Sequence, residues 1–192
     1  FGTSVAISGD RCIVGAENED QSGSSSAGKA YIFDVTDGSL LFTLDNPNAF
    51  DLAQFDNFGD TVAMSGDRAI IGVSQEDDVR FNESGKAYIF DVTTGSLLHT
   101  LDNPDPDGTP ENDFFGISVA ISGDRAIVGA SNEDDAGTNS GKAYIYDVTT
   151  GNLLLTLDNP NAFGTSAGDL FGTSVAISGD RAIVGARGED EE

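Results

Sequence analysis

One phrase of sixteen residues governs this chain: FGTSVAISGDRCIVGA at residues 1–16 returns as FGDTVAMSGDRAIIGV from Phe58, FGISVAISGDRAIVGA from Phe115 and FGTSVAISGDRAIVGA from Phe171. The spacings are 57, 57 and 56 residues, so the 192 residues hold three units and the opening of a fourth, with boundaries expected at 1–57, 58–114, 115–170 and 171–192. Copies of this length cannot bury an apolar face alone. They stack, and each covers its neighbour.

Within a unit, runs such as TSVAIS, RAIVGA, GKAYIFDV and SLLHTLD are rich in β-branched and aromatic residues and bounded by Gly, Asp, Asn or Pro. They predict four strands. The first two are separated by Gly9-Asp10, glycine first, which suits a two-residue hairpin needing positive φ there. The last two are joined by TDG or TTG, with the glycine in the left-handed position of a longer hairpin. No helical periodicity is present. The third strand sets Ala30 and Ile32 on one side and Tyr31, Phe33 and Val35 on the other, while the fourth sets Leu40, Phe42 and Leu44 against Leu41. Both faces are apolar and both must be covered. The expected fold is all-β, with four-stranded antiparallel meanders stacked radially as β-propeller blades, or in a line with ends to cap. A meander sends alternate turns to opposite ends of its sheet. The short hairpins therefore share one rim, and the long, variable, acidic connections share the other, where binding is expected.

The formal net charge of −24 argues against nucleic acid and against an anionic membrane surface as partners. Cations fit it, and so does a solvated acidic surface that keeps the protein dissolved. Seven of the nine basic residues recur in register: Arg11, Arg68, Arg125 and Arg181, with Lys29, Lys86 and Lys142. They read as cross-strand partners of carboxylates. The lone cysteine, Cys12, replaces Ala69, Ala126 and Ala182, so a small buried site is expected, with no disulfide or thiolate chemistry. No stretch approaches the ~18 apolar residues of a membrane-spanning helix, and no signal peptide is visible, although the chain opens on Phe and such a segment could lie outside it.

The run DxFGxSVAISGDRAIVGA, followed by an acidic loop and GKAYIFD, resembles the FG-GAP repeat in the short-turn form of bacterial surface and secreted proteins. The Phe-Gly pairs are Phe1-Gly2, Phe58-Gly59, Phe115-Gly116 and Phe171-Gly172. Gly15-Ala16, Gly129-Ala130 and Gly185-Ala186 supply the second element, with Gly72-Val73 departing, and Asp56, Asp113 and Asp169 precede. The resemblance implies a propeller, commonly seven-bladed as in integrin α chains, with roles in adhesion and ligand binding. The integrin-type calcium loop between the first two strands is replaced here by SGD, too short to wrap an ion. Three and a half blades do not close a ring, and each end supplies the first hairpin of a unit. The expectation is a window on a longer repeat protein or a segment of an open array.

Two places suggest calcium. Asn103, Asp105, Asp107 and Glu111 stand at positions 1, 3, 5 and 9 around Gly108, the spacing of an oxygen-ligand loop, or else form an acidic proline turn. Acidic residues also open each loop between second and third strands: Glu19-Asp20, then Glu76 with Asp77 and Asp78, then Glu133 with Asp134 and Asp135. Adjacent carboxylates call for a cation, for the lysine that opens the third strand, or simply for water. Catalysis is not expected: His99 aligns with Phe42 and Leu155 at a packing position, and the paired acids recur in every unit. Asn82-Glu83-Ser84 is a glycosylation sequon. Together these features predict an extracellular, non-enzymatic binding or adhesion module whose ligand is a protein or glycan, or further copies of the chain. The alternatives are a structural filament and the accessory propeller of a secreted enzyme.

Overall fold

The computed structural model describes residues 1–20, 25–47, 55–77, 84–104, 112–134, 138–160 and 167–189, and all regular structure in them is strand. β1 (Val5–Ser8), β2 (Arg11–Ala16), β3 (Lys29–Asp34) and β4 (Leu40–Asp45) form the first sheet. The second contains β5 (Thr61–Ser65), β6 (Arg68–Val73), β7 (Lys86–Asp91) and β8 (Ser96–Asp102). The third contains β9 (Phe115–Ser122), β10 (Arg125–Ala130), β11 (Lys142–Asp147) and β12 (Leu153–Asp158), and β13 (Phe171–Ser178) pairs with β14 (Arg181–Ala186). Every sheet is an antiparallel meander in chain order.

The turn chemistry explains the meander. Ser8 lies opposite Arg11, leaving Gly9 and Asp10 as the loop, with Gly9 at φ 61°. At the other hairpin the carboxylate of Asp34 accepts the N–H of Thr36 at 2.7 Å, as Asp91 does from Thr93 and Asp147 from Thr149. The threonine hydroxyls bond the same oxygens, and these bonds hold the three carboxyls below their ordinary range, Asp147 at about 2. Arg11 faces Asp34 at one end of the sheet, while Ala16, Lys29 and Asp45 align at the other. The short hairpins therefore share one rim and the long connections the other, as the meander requires.

The fourth strand departs from strict alternation. Ile32 faces Phe42 but Phe33 faces Leu40, so Leu41 is an inserted residue, and the same shift occurs in the next two sheets. A bulge puts two residues opposite one and reverses the faces beyond it. Leu40 thus sides with Phe33, while Phe42 and Leu41 pack together against the second unit.

Each sheet has an aromatic face and an aliphatic face, and the aliphatic face of one unit packs on the aromatic face of the next. Ile13, Ala30, Ile32 and Leu44 meet Val62, Met64, Ile71, Tyr88 and Phe90. Ile70, Ala87, Ile89 and Leu101 meet their counterparts in the third unit, and Ile127, Ala143 and Ile145 meet Phe171, Val175 and Val184. First strands pack on first strands, β1 on β5, β5 on β9 and β9 on β13. Leucines in the first half of the fourth strands, including Leu97 and Leu154, are exposed, while Leu44 and Leu101 toward the end are buried. Sheets close at the first strand and open at the fourth are arranged as propeller blades about an axis beside the first strands.

The repeated phrase is what joins the blades. Phe115 is fully buried against Tyr144 and Tyr146, with ring centroids 5.7 and 6.2 Å away. Its N–H donates to the carbonyl of Ser84 in the preceding unit at 3.1 Å, and Phe58 and Phe171 repeat that bond to Ala27 and Ser140. Gly116, at φ 95°, then lays its carbonyl against Gly72 so closely that a Cβ on Gly72 would fall within 3.0 Å of it. Two glycines nest where any side chain would hold the backbones apart.

Position in the array decides burial. Ala69 and Ala126 are fully buried, as expected for this site, but Cys12 is only half-buried because no blade covers the aromatic face of the first sheet. Ala182 is exposed where β14 has no third strand beside it. His99 faces Ile89 across the sheet and reaches the next unit, its Nε2 lying 3.2 Å from the carbonyl oxygen of Thr149. It fills a packing position between blades.

Candidate functional site

The long-loop rim rests on a polar layer built the same way in each unit. As the fourth strand ends, Asn46 donates its side-chain N–H to Asp56 at 2.9 Å; Asn103 donates to Asp113 and Asn159 to Asp169, both at 2.7 Å. All three aspartates are buried. The main-chain carbonyls of Asp113 and Asp169 also accept from Asn132 and Gly188, tying each link to the loop after the second strand.

A glutamate opens the loop between second and third strands in each complete unit, and Glu76 lies near Asp56. Tyr31 donates to Glu19 and Tyr88 to Glu76, each at 2.5 Å. Glu76 is 0% exposed, and its Oε2 makes no hydrogen bond among the described residues. Burial, reinforced by the neighbouring charge of Asp56, pushes its carboxyl up to about 8, against the pull of the Tyr88 hydroxyl. Burial and the Glu19 carboxylate likewise push the Tyr31 phenol up to about 12, and Tyr88 is raised further by its deeper burial and the Glu76 carboxylate. In the third unit the lysine comes inward: Lys142 Nζ is 3.3 Å from Glu133, itself 0% exposed, and 3.8 Å from Asp158. Lys29 pairs with Asp45 at 2.9 Å, and Lys86 pairs with Asp102. At the opposite rim Arg68 meets Asp91 at 3.0 Å. The three lysines and Arg68 are therefore cross-strand partners of carboxylates, whereas Arg11 donates to the carbonyl of Val92 in the next unit at 2.6 Å and Arg125 reaches Asp180 across a blade boundary.

The candidate ion ligands divide accordingly. Asn103 is held by Asp113, while Asp105, Asp107 and Glu111 lie outside the described residues. Asp134 accepts the N–H of Asn139 at 2.6 Å, closing its own loop as Asp20 does with Ser26 at 3.0 Å. Asp77 is also engaged, and Asp78 and Asp135 lie outside the described residues, as do Asn82 and Glu83 of the sequon. Among the described residues no three His, Cys, Asp or Glu side chains are grouped as metal ligands.

The FG-GAP repeat profile matches residues 1–33, 48–90, 106–146 and 162–192, well over half of the sequence. The chain belongs to the FG-GAP repeat family. Comparison with curated proteins finds no match.

In this FG-GAP chain the name-giving residues are joints between blades, as Phe115, Gly116 and Gly72 demonstrate. The polar layer was not foreseen as a unit, although its signal was present. The pair Asp-Asn ends every fourth strand at Asn46, Asn103 and Asn159, and a residue that returns in each copy serves what each copy shares. The described clefts of the FG-GAP array open on the opposite, short-hairpin rim. One lies between Arg68 and Asp124, and another between Asp147 and Asp180, where Arg125 Nε approaches Asp180 to 3.7 Å across the blade boundary.

Proposed function

We propose that this FG-GAP chain is a non-catalytic binding module that works outside the cell, taking a protein or glycan ligand on its long-loop rim. One observation carries the reading: the constant polar residues beneath that rim are consumed by the fold, through the Asn103–Asp113, Tyr88–Glu76 and Lys142–Glu133 contacts, while the segments above them differ from unit to unit. A constant frame under variable connections suits recognition that changes without disturbing the blades. The net charge of −24 favours a ligand with a cationic patch, whose association rate falls as salt is added. Calcium held by Asn103, Asp105, Asp107 and Glu111, or by the Asp77–Asp78 and Asp134–Asp135 pairs, belongs to the same proposal as a stabiliser of that rim.

The test is binding of the intact chain to arrays of glycans and of extracellular-matrix proteins. Segments 48–54, 105–111 and 161–166 are replaced in one variant by glycine-serine stretches of equal length, and Asp67→Asn with Asp124→Asn form a second. Binding lost in the first variant and kept in the second supports the reading. Binding that survives loop replacement, or turnover of a bound glycan, overturns it.

A further inference from the structure

At the short-hairpin rim an arginine stands at each blade boundary, and the three side chains do not all go the same way. Between the first and second units Arg11 crosses over and donates to the carbonyl of Val92 at 2.6 Å. Between the third and fourth units Arg125 crosses as well, its Nε lying 3.7 Å from the carboxylate of Asp180. Between the second and third units Arg68 turns back. It pairs with Asp91 of its own sheet at 3.0 Å and donates to the carbonyl of Asp67 at 3.1 Å.

At this middle boundary the acceptors that meet a guanidinium elsewhere are left open. A cleft of about 250 Å³ lies there, with Asp67 and Arg68 on one side and Asp124, Val148 and Thr149 on the other. Both units that form it are complete four-stranded meanders. Val148 and Asp124 are the repeat counterparts of Val92 and Asp180. Among the described residues nothing donates to the Val148 carbonyl, and neither Asp67 nor Asp124 forms an ion pair. Val148 is buried, whereas both aspartates are exposed, so the carbonyl belongs to the floor of the cleft and the carboxylates to its mouth. The Ser65 hydroxyl accepts the N–H of Gly123 at 3.1 Å and ties the two hairpins together. The walls are therefore set before any guest arrives. Sites for whole small molecules begin at roughly 300 Å³, so this volume suits a single side chain.

We propose that the cleft between the second and third units is a receptor for a guanidinium group, supplied by an arginine side chain of a partner protein. The guest donates to the Val148 carbonyl as Arg11 does to Val92, and meets the Asp124 carboxylate as Arg125 meets Asp180. Asp67 adds a second negative charge at the mouth. A guanidinium suits these acceptors better than an ammonium, because its N–H groups form a planar fork and its weaker hydration costs less to remove. Arg68 is already matched by Asp91, which leaves the acceptors to the guest. The site lies on the rim opposite the long loops and does not depend on recognition there.

Amide chemical shifts of the isotope-labelled chain test this at physiological ionic strength, with acetyl-arginine amide as the probe and acetyl-lysine amide as a comparison of equal charge. The arginine probe is expected to move Gly66, Gly123 and Thr149 saturably, and the lysine probe to do so more weakly. Asp67→Asn with Asp124→Asn is expected to weaken the arginine response at least about fivefold. Asp10→Asn with Asp37→Asn removes the same charge from the same rim and is expected to leave it unchanged. Arg11→Ala takes away the native occupant of the first boundary, so a second set of shifts should appear at Val92 and Thr93. Asp124→Asn alone replaces the double variant if the latter loses its dispersed spectrum. Equal responses to the two probes overturn the proposal, as do shifts spread over the acidic surface or an Arg11→Ala chain that gains none at Val92. The variant with replaced long loops is expected to keep the arginine response, which separates this site from recognition on the other rim; loss of the response in that variant overturns the assignment to the cleft.

Discussion

Replacing Gly72 by alanine isolates the joint between blades. The added Cβ would lie within 3.0 Å of the Gly116 carbonyl oxygen and of Thr61 Oγ1. The carbonyl belongs to backbone and cannot swing aside, so the Phe115–Gly116 segment must withdraw. That movement lifts Phe115, now fully buried, from Tyr144 and Tyr146, and uncovering such a side chain costs roughly 1.5 to 3 kcal/mol. It also breaks the hydrogen bond from Thr61 to Gly116, about 1 kcal/mol more. The expected loss is about 3 kcal/mol. Gly66→Ala is the control, since Gly66 has φ 56° and open space around its Cβ position, so only the left-handed penalty of about 1 kcal/mol applies. Urea unfolding followed by circular dichroism measures both. If Gly72→Ala costs no more than Gly66→Ala, the glycine nest does not hold the blades together and the reasoning fails.

Other outcomes follow from the polar layer. Because the folded chain raises the Glu76 carboxyl from 4.5 to about 8, native protein binds the proton more tightly than unfolded protein. Stability from this group is full below the lower value, declines by about 1.4 kcal/mol per pH unit between the two values, and is lost once pH has risen through the higher one. Glu76→Gln should flatten that decline in unfolding midpoints measured across the range, and an unchanged slope would remove Glu76 as its source. Lys142→Met takes the ammonium from beside fully buried Glu133 and should cost roughly 3 kcal/mol, whereas Lys29→Met, opposite half-exposed Asp45, should cost less than about 1. Equal losses in denaturant titration would show that burial does not distinguish these pairs. Calcium in large excess should raise the melting temperature by about 5 °C over chelated protein, an increase lost in Asp105→Asn with Asp107→Asn; a melt indifferent to calcium rejects the ion.

The repeat period, the strand order and the rims were legible in the residues, because each rests on local chemistry. Gly9-Asp10 admits a two-residue hairpin, TTG a longer one, and alternation along GKAYIFDV leaves two apolar faces. The bulge at Leu41 was not legible. Leu40, Leu41 and Phe42 are all apolar, so nothing in their order marks the inserted residue, which only pairing with β3 reveals. The candidate site divides in the same way. Its carboxylates were visible, but which of them face inward was not, since Glu76 and Asp77 are neighbours in sequence and only Glu76 is carried beneath the loop to Tyr88.

By itself, then, the sequence determined that this protein is an array of four-stranded units, because turn glycines, alternation and recurrence act over a few residues and need no partner. Tertiary structure decided what the recurring residues are for. A glycine in FG is only a permissive residue until Gly116 of one blade meets Gly72 of another, and an acid is only charge until burial raises its pKa. Cys12, Ala69, Ala126 and Ala182 occupy one position in the repeat and differ in exposure, because burial is a property of the neighbouring blade.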